Sequence, residues 1–221
     1  METKSRPYDD YRYPDPEKKI SRTQRPEYNI IKEWIEPGSK VLDLGCGDGS
    51  LGEILIKEKN CEVYGIEIDK NGVKQAIRKG VHAVQGNMDD GLDFSDDSFD
   101  YVIINVTLQM VYRPDLVATE ALRVGKKAII SFPNFAHIYA RLEMLLFGRM
   151  PRSPLFGYKW YSTRHIHMFS YKDFIEFIKE QNAQVLKREF LWLDSKTKNF
   201  LARLFPNTFS GTAILMVQKK K

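Results

Sequence analysis

Val41-Leu42-Asp43-Leu44-Gly45-Cys46-Gly47-Asp48-Gly49 decides the fold class of this chain of 221 residues. Val41–Leu44 is an apolar run with one acid in it, the signature of a buried strand. Glycines at 45, 47 and 49 then break the run, and Leu51, Ile54 and Leu55 follow at helical spacing. A strand that passes through glycines into a helix opens a βαβ unit. Glycines in such a turn admit positive φ and leave no Cβ between the backbone N–H groups and a ligand. A helix starting near Ser50 points its N-terminus at the same spot, favouring a carboxylate or phosphate.

Outward from this turn, strand and helix signals alternate. Toward the N-terminus, Pro26 opens a helix with Ile30, Ile31, Trp34 and Ile35 on one face, stopped by Pro37-Gly38. Toward the C-terminus, strands are predicted at 62–68, 81–84, 101–106 and 127–132, separated by helical stretches through Val73, Ala76 and Ile77 and over 116–122. The alternation means right-handed crossovers and a mostly parallel sheet. Beyond residue 135 come helices at 136–147 and 171–181 and two closing strands at 184–193 and 212–219. Between the closing strands, Phe200, Leu201 and Leu204 stand at helical spacing. The stretch 148–169 is irregular, basic and aromatic. One domain over 26–221 is expected, with 136–170 as its substrate or partner segment. Residues 1–25, charged and rich in Pro and Tyr, are expected to form a mobile arm.

Composition bounds the function. At 43% apolar and 29% charged the chain has an ordinary globular balance. No apolar run approaches the ~18 residues a membrane helix needs, and Met1-Glu2-Thr3-Lys4-Ser5-Arg6 lacks the apolar core of a secretory signal. The two cysteines, Cys46 and Cys61, have no metal-binding spacing, so a cytoplasmic location is expected. Charge is uneven: residues 1–140 carry 19 Lys and Arg against 23 Asp and Glu, whereas 141–221 carry 15 against 6. A basic second part suits an anion, a nucleic acid or an acidic partner, or is simply a solvated face.

Two cofactors compete for the glycine turn. Gly47-x-Gly49-x-x-Gly52, with Glu67 following Gly47 by 20 residues, matches the dinucleotide fingerprint. Asp43 argues against it, because a carboxylate before the first glycine repels a pyrophosphate. S-adenosylmethionine brings an ammonium and a sulfonium, and an acid suits both. The expected cofactor set is therefore Asp43, Gly45, Cys46, Gly47 and Gly49, with Glu67 on the ribose hydroxyls and Ile68 beside it. Asn87 and Met88 follow at the adenine edge, and Asn105 at the end of the fourth strand, where the methyl group sits. Met88 also fits plain core, Cys46 a small space-filler, and Asp69 a helix cap.

Methyl transfer is an in-line attack on the sulfonium methyl that leaves S-adenosylhomocysteine, and positioning does most of the catalysis. Where the nucleophile arrives protonated, a base is needed. His137, His165 and His167 are the candidates for that base. With Asn105 facing the methyl group and Tyr161 able to orient a substrate, they make up the catalytic candidates, and the catalytic residue is left open among them. His165-x-His167 on a strand would point both rings to one face, but no third ligand is evident and no metal is expected. Arg141, Arg149, Arg152, Lys159 and Arg164 interleave with Phe147, Phe156, Tyr158 and Trp160, a pattern for an anionic small molecule, a nucleic acid or a protein partner. Asn105-Val106-Thr107-Leu108 is not the Asn/Asp-Pro-Pro-aromatic motif of base-amino methyltransferases, so nucleic-acid methylation ranks third.

The glycine stretch resembles motif I of class I methyltransferases. More narrowly, Gly65-Ile66-Glu67-Ile68-Asp69, Asp96-Asp97-Ser98-Phe99-Asp100, Thr107-Leu108-Gln109 and Arg113-Pro114-Asp115-Leu116 resemble the MetW family of methionine-biosynthesis proteins. So do Ser131-Phe132-Pro133-Asn134-Phe135, Gly148-Arg149-Met150-Pro151 and Trp160-Tyr161, and the resemblance runs over roughly residues 26–193. It implies a Rossmann-like α/β fold with helices on both faces of a seven-stranded, mostly parallel sheet whose last strand is antiparallel. It also implies a place beside homoserine O-acyltransferase, either as a partner that activates that enzyme or as a small-molecule methyltransferase with an unknown acceptor.

Overall fold

A computed structural model describes residues 25–152, 160–161, 163–192 and 200–220. The expected N-terminal arm lies outside them except for Arg25, as do Phe156, Tyr158 and Lys159 of the basic-aromatic stretch. Helix α1 (Pro26–Trp34) begins with proline where a missing N–H costs nothing and buries Ile30 and Ile31. Strand β1 (Lys40–Leu44) runs through the glycine turn into α2 (Ser50–Lys59). There follow β2 (Glu62–Glu67), α3 (Lys70–Arg78), β3 (His82–Gln85), β4 (Phe99–Asn105), α4 (Pro114–Val124) and β5 (Gly125–Pro133). The later part holds α5 (Ile138–Phe147), α6 (Tyr171–Glu180), β6 (Ala183–Leu191), α7 (Phe200–Leu204), α8 (Pro206–Phe209) and β7 (Thr212–Lys219).

The seven strands form one sheet in the order β3-β2-β1-β4-β5-β7-β6. Pairings from β3 to β5 are parallel, and β7 is antiparallel to both β5 and β6, so it alone is reversed. Side chains alternate between the faces with the period of two that a strand imposes. Val41, Tyr101, Ile103 and Ile129 meet Ile31, Leu51, Leu55 and Ala76 under α1, α2 and α3. Leu42, Val102, Ile104 and Ile130 meet Val117, Ala121, Phe174 and Ile178 under α4 and α6. The chain leaves β1 toward β2 and β3, then returns to β4 on the other side. The crevice beyond the carboxyl ends of β1 and β4 is therefore the switch point where open α/β sheets bind ligands. No helix among the described residues is long and apolar enough to cross a membrane.

Three local expectations need correction. Helix α1 stops at Trp34, before Pro37-Gly38, and Ile35 is buried just outside it. Strand β4 ends at Asn105 because Val106 turns into the left-handed region at φ 52°. His165 and His167 do not lie on a strand, since residues 163–170 form neither strand nor helix. The N–H groups of Ile166 and His167 both go to the Gln109 carbonyl and not to a ladder.

Candidate functional site

The turn after β1 is held from β2. Gly45 and Cys46 both donate their N–H to the Ile66 carbonyl, at 2.8 and 3.2 Å. Glu67, at the end of β2 and buried, accepts from Gly47 N at 3.0 Å through one carboxylate oxygen and from Asp69 N at 2.9 Å through the other. Asp69 caps α3, accepting from Asn71 N and Gly72 N. The glycines are required. At Gly45 (φ 77°) a Cβ would sit 2.7 Å from Thr107 Cγ2, and at Gly49 (φ 75°) it would sit 2.6 Å from the Ala76 Cα. Cys46 fills the space beside Gly65, where an added Cβ would lie 2.6 Å from its Sγ, and burial pushes its thiol well above the usual range. It is a packing residue with little thiolate to offer.

Three acids converge here and are satisfied differently. Burial alone would raise Asp48, but Lys79 Nζ at 2.8 Å and Ser50 hold it below the ordinary carboxylate range. Glu67 has its two backbone donors. Asp43 is only 3% exposed, and its carboxylate accepts no hydrogen bond among the described residues. Burial, and then the neighbouring Glu67 and Asp48, push it up to about 7. A buried carboxylate without donors is costly when charged, so the end of β1 calls for a cation. Adenosylmethionine fits that donor set, and a pyrophosphate does not.

At the rim, Gly86 N donates to the Glu67 carbonyl at 3.1 Å and Gln85 Nε2 to the Ile68 carbonyl at 3.1 Å, bringing β3 against the end of β2. The Ile68 side chain is 53% exposed beside Glu67. Asn87 is exposed, and its Oδ1 accepts from Asp89 N at 3.2 Å to cap a short 3-10 turn, Met88–Asp90. Its amide NH2 remains for other partners. The Met88 side chain packs into the core beneath α4, so only its backbone is left for the adenine edge.

At the end of β4, Asn105 Oδ1 accepts from Ser131 Oγ at 2.6 Å, which fixes the amide. Val106 is β-branched at positive φ, a conformation that costs about 1–3 kcal/mol and clusters at functional sites. It is held by its own N–H, which donates to the Ser131 backbone and hydroxyl oxygens, and by Gln109 Nε2, which donates to its carbonyl at 3.0 Å. Gln109 is fully buried, and its carbonyl accepts from Ile166 N and His167 N at 2.9 and 3.1 Å. Sequence reasoning missed Gln109 as a site residue. Its signals in the sequence were an amide inside the apolar run Leu108–Val111 and its place in the family stretch Thr107-Leu108-Gln109.

The histidines divide. His137 is fully buried, its Nδ1 accepts from Tyr139 N at 3.2 Å to cap α5, and its ring packs against Trp192 at 5.0 Å. Burial pushes both His137 and His165 down to about 4, which makes them weak bases. The His165 ring packs on Phe135 at 5.8 Å. His167 Nε2 is buried with no hydrogen-bond partner among the described residues. Tyr161 belongs to a different feature, a groove of about 320 Å³ shared with Arg149, Met150, Arg152 and Trp160. Among the described residues no three His, Cys, Asp or Glu side chains are placed to hold a metal ion.

Residues 25–217 match the family model of the methionine biosynthesis protein MetW. The bifunctional methionine biosynthesis protein MetXA/MetW of Rhodopirellula baltica is 32% identical over 86% of the chain, and the chain spans about a third (32%) of that protein's length. Among solved structures, the magnesium protoporphyrin IX methyltransferase of Synechocystis with bound S-adenosylhomocysteine aligns at TM-score 0.64 and 16% identity, covering 90% of this chain and 84% of that one. The [4+2]-cyclase SpnF aligns at TM-score 0.62 and 17% identity, covering 87% and 80%. The fold is that of the S-adenosylmethionine-dependent methyltransferases, and it also hosts other chemistry.

Proposed function

We infer that this chain, which belongs to the MetW family, binds S-adenosylmethionine at the end of β1 and acts as a partner that activates homoserine O-acyltransferase. One observation carries the cofactor reading: Asp43 is a buried carboxylate without a donor, in a turn whose other acids are already satisfied. The ligand's ammonium supplies the missing charge. Glu67 takes the ribose hydroxyls with its remaining lone pairs, Ile68 lies along the adenine, and Asn87 and the Met88 N–H face the adenine edge. Support for the partner reading comes from the Rhodopirellula relative, whose name joins a MetXA unit to a MetW unit in one chain.

A small-molecule methyltransferase is the second reading, favoured by the strained Val106 and the fixed Asn105 amide at the end of β4. The bound cofactor would supply an electrophilic methyl group, and Asn105 would orient the acceptor. Burial leaves His137 and His165 as weak bases, so an acceptor that arrives unprotonated fits best.

The test is the host's own homoserine O-acyltransferase, assayed with and without this chain and with the cofactor absent or present. A rise in acylation on adding the chain supports the partner reading. Unchanged acylation with both proteins folded refutes it, and transfer of labelled methyl to an acceptor would then establish the second. Substituting Gly47→Trp should abolish cofactor binding in either case, and normal methylation by that variant would show that the cofactor lies elsewhere.

A further inference from the structure

Helix α5 carries one basic and one acidic residue among ten, Arg141 and Glu143, and otherwise reads Ile-Tyr-Ala-x-Leu-x-Met-Leu-Leu-Phe. A helix apolar on all sides belongs in a core, yet only Ala140 is buried. Tyr139, Leu142, Met144, Leu145, Leu146 and Phe147 are 40–79% exposed. Arg141 Nη2 donates to the Asn207 carbonyl at 3.3 Å, which ties α5 to α8, and α7 packs against α8 with Phe200, Leu204 and Phe205 56–72% exposed. At roughly 150–200 Å² for each large side chain, the two groups expose on the order of 1000 Å². Monomers rarely show patches above about 600 Å², and a standard interface takes about 800 Å² from each partner.

The rim of this face is basic. Just past the end of α5, Arg149 and Arg152 line the groove of about 320 Å³ with Met150, Trp160 and Tyr161. The Arg149 guanidinium lies 5.2 Å from the Phe147 ring centre, so the groove is continuous with the helix. Arginine, methionine and aromatics around an apolar centre are the composition of interface cores. Glu143 of α5 already pairs with Arg149 at 3.6 Å and accepts from Arg152 N at 3.0 Å, and two guanidinium groups against this one carboxylate leave room for an acidic partner.

We propose that α5, with the Arg149–Arg152 groove at its end, is the docking face for the homoserine O-acyltransferase subunit, which presents an apolar surface edged by carboxylates. This rests on the partner reading above. A MetXA unit carried on the same chain in the Rhodopirellula relative is kept permanently within reach of its MetW unit, and a face of this size and charge is what such a unit would cover.

The experiment measures binding of the full chain to the host's acyltransferase by calorimetry and sedimentation velocity. Leu145→Glu combined with Phe147→Glu should weaken the complex about 30-fold or more, and Arg149→Glu with Arg152→Glu about tenfold. Ile77→Glu, an exposed apolar site on α3, should change nothing. Circular dichroism and adenosylmethionine binding establish that each variant is folded. If the wild type binds and the α5 variant binds equally well, the docking face is wrong and the partner reading stands. If the wild type does not bind, both fall. Self-association of the chain that the α5 variant abolishes would give the face to a second copy. Co-sedimentation with phosphatidylglycerol vesicles would give it to a membrane, and either result overturns the proposal.

Discussion

Replacing Asp43 with asparagine separates what the site costs from what it binds. Asp43 titrates near 7 in the folded chain against an ordinary 3.8. Below about pH 4 the carboxyl is protonated in both folded and unfolded chains and contributes no difference. Between 4 and 7 the folded chain keeps a proton the unfolded chain has lost, so stability falls as pH rises through that window. Above 7 the full penalty is present, about 4 kcal/mol at 1.36 kcal/mol per pKa unit. Asparagine removes the charge but leaves a buried NH2 unpaired, at about 1–2 kcal/mol. Asp43→Asn should therefore stabilise the ligand-free chain at pH 8 by about 2–3 kcal/mol, a rise of roughly 5–10 °C in Tm at this length. At pH 4 the variant should be slightly less stable than the wild type. Cofactor binding should move the other way. Losing one partner of a buried charge pair costs about 2–5 kcal/mol, so Kd at pH 7.5 should rise roughly 30- to 5000-fold. Wild-type Kd should fall about tenfold per unit as pH approaches 7, then rise above about 8 as the ligand's α-amino group loses its proton; the acid limb should vanish in the variant. Thermal melts and calorimetry across pH 4–9 test both. A variant that is less stable at pH 8, or that keeps the wild-type acid limb, would refute the reasoning.

Gly45→Val combines a forbidden φ with a Cβ 2.7 Å from Thr107 Cγ2. It should lower the urea midpoint by the equivalent of about 3 kcal/mol, and adding Thr107→Ala should recover only part; an unchanged midpoint would contradict this close approach. Asn134→Ala removes a buried amide that donates toward Pro206, Asn207 and Ser210 and accepts from Ala136 N and Tyr171 N. A loss of about 3–5 kcal/mol in chemical denaturation is expected, and a loss below 1 kcal/mol would show the network to be dispensable. The imidazoles of His137 and His165 should titrate near 4 by NMR. Because the folded chain then binds fewer protons than the unfolded one, they withdraw stability as pH falls from about 6.5 toward 4, opposite in sign to Asp43. Midpoints above 6 would mean that both rings are open to water.

The β1 turn was legible because glycine, a strand-end acid and a following apolar period each act locally. Glu67 and Asp69 followed for the same reason, since one ends a strand and the other caps the next helix. Asp43 was visible as an acid, but its lack of a donor is a property of the packed site. Val106 gave no sign of its left-handed turn, because valine is among the residues least suited to one; Gln109 and Ser131 hold it there from other parts of the chain. The alternation at His165-x-His167 suggested a strand, yet β6 and β7 complete the sheet and Gln109 takes the N–H groups of 166 and 167 instead. Asn134, quoted within a family motif, proves to be the junction of β5, α6 and the α8 segment, which no local pattern could disclose. In α5 the pattern of apolar residues was plain, while the side they face depends on what covers them.

Strand β7 is the latest element in the sequence and lies inside the sheet, between β5 and β6. During synthesis, therefore, the half of the domain that holds the glycine turn can assemble early, while β5 waits with a bare edge and β6 has nothing to pair with. Native order in the second half depends on the most distant contacts along the chain, the slow kind to form. Until they form, an apolar strand edge and the α5 face are exposed together, which is the circumstance in which nascent chains aggregate.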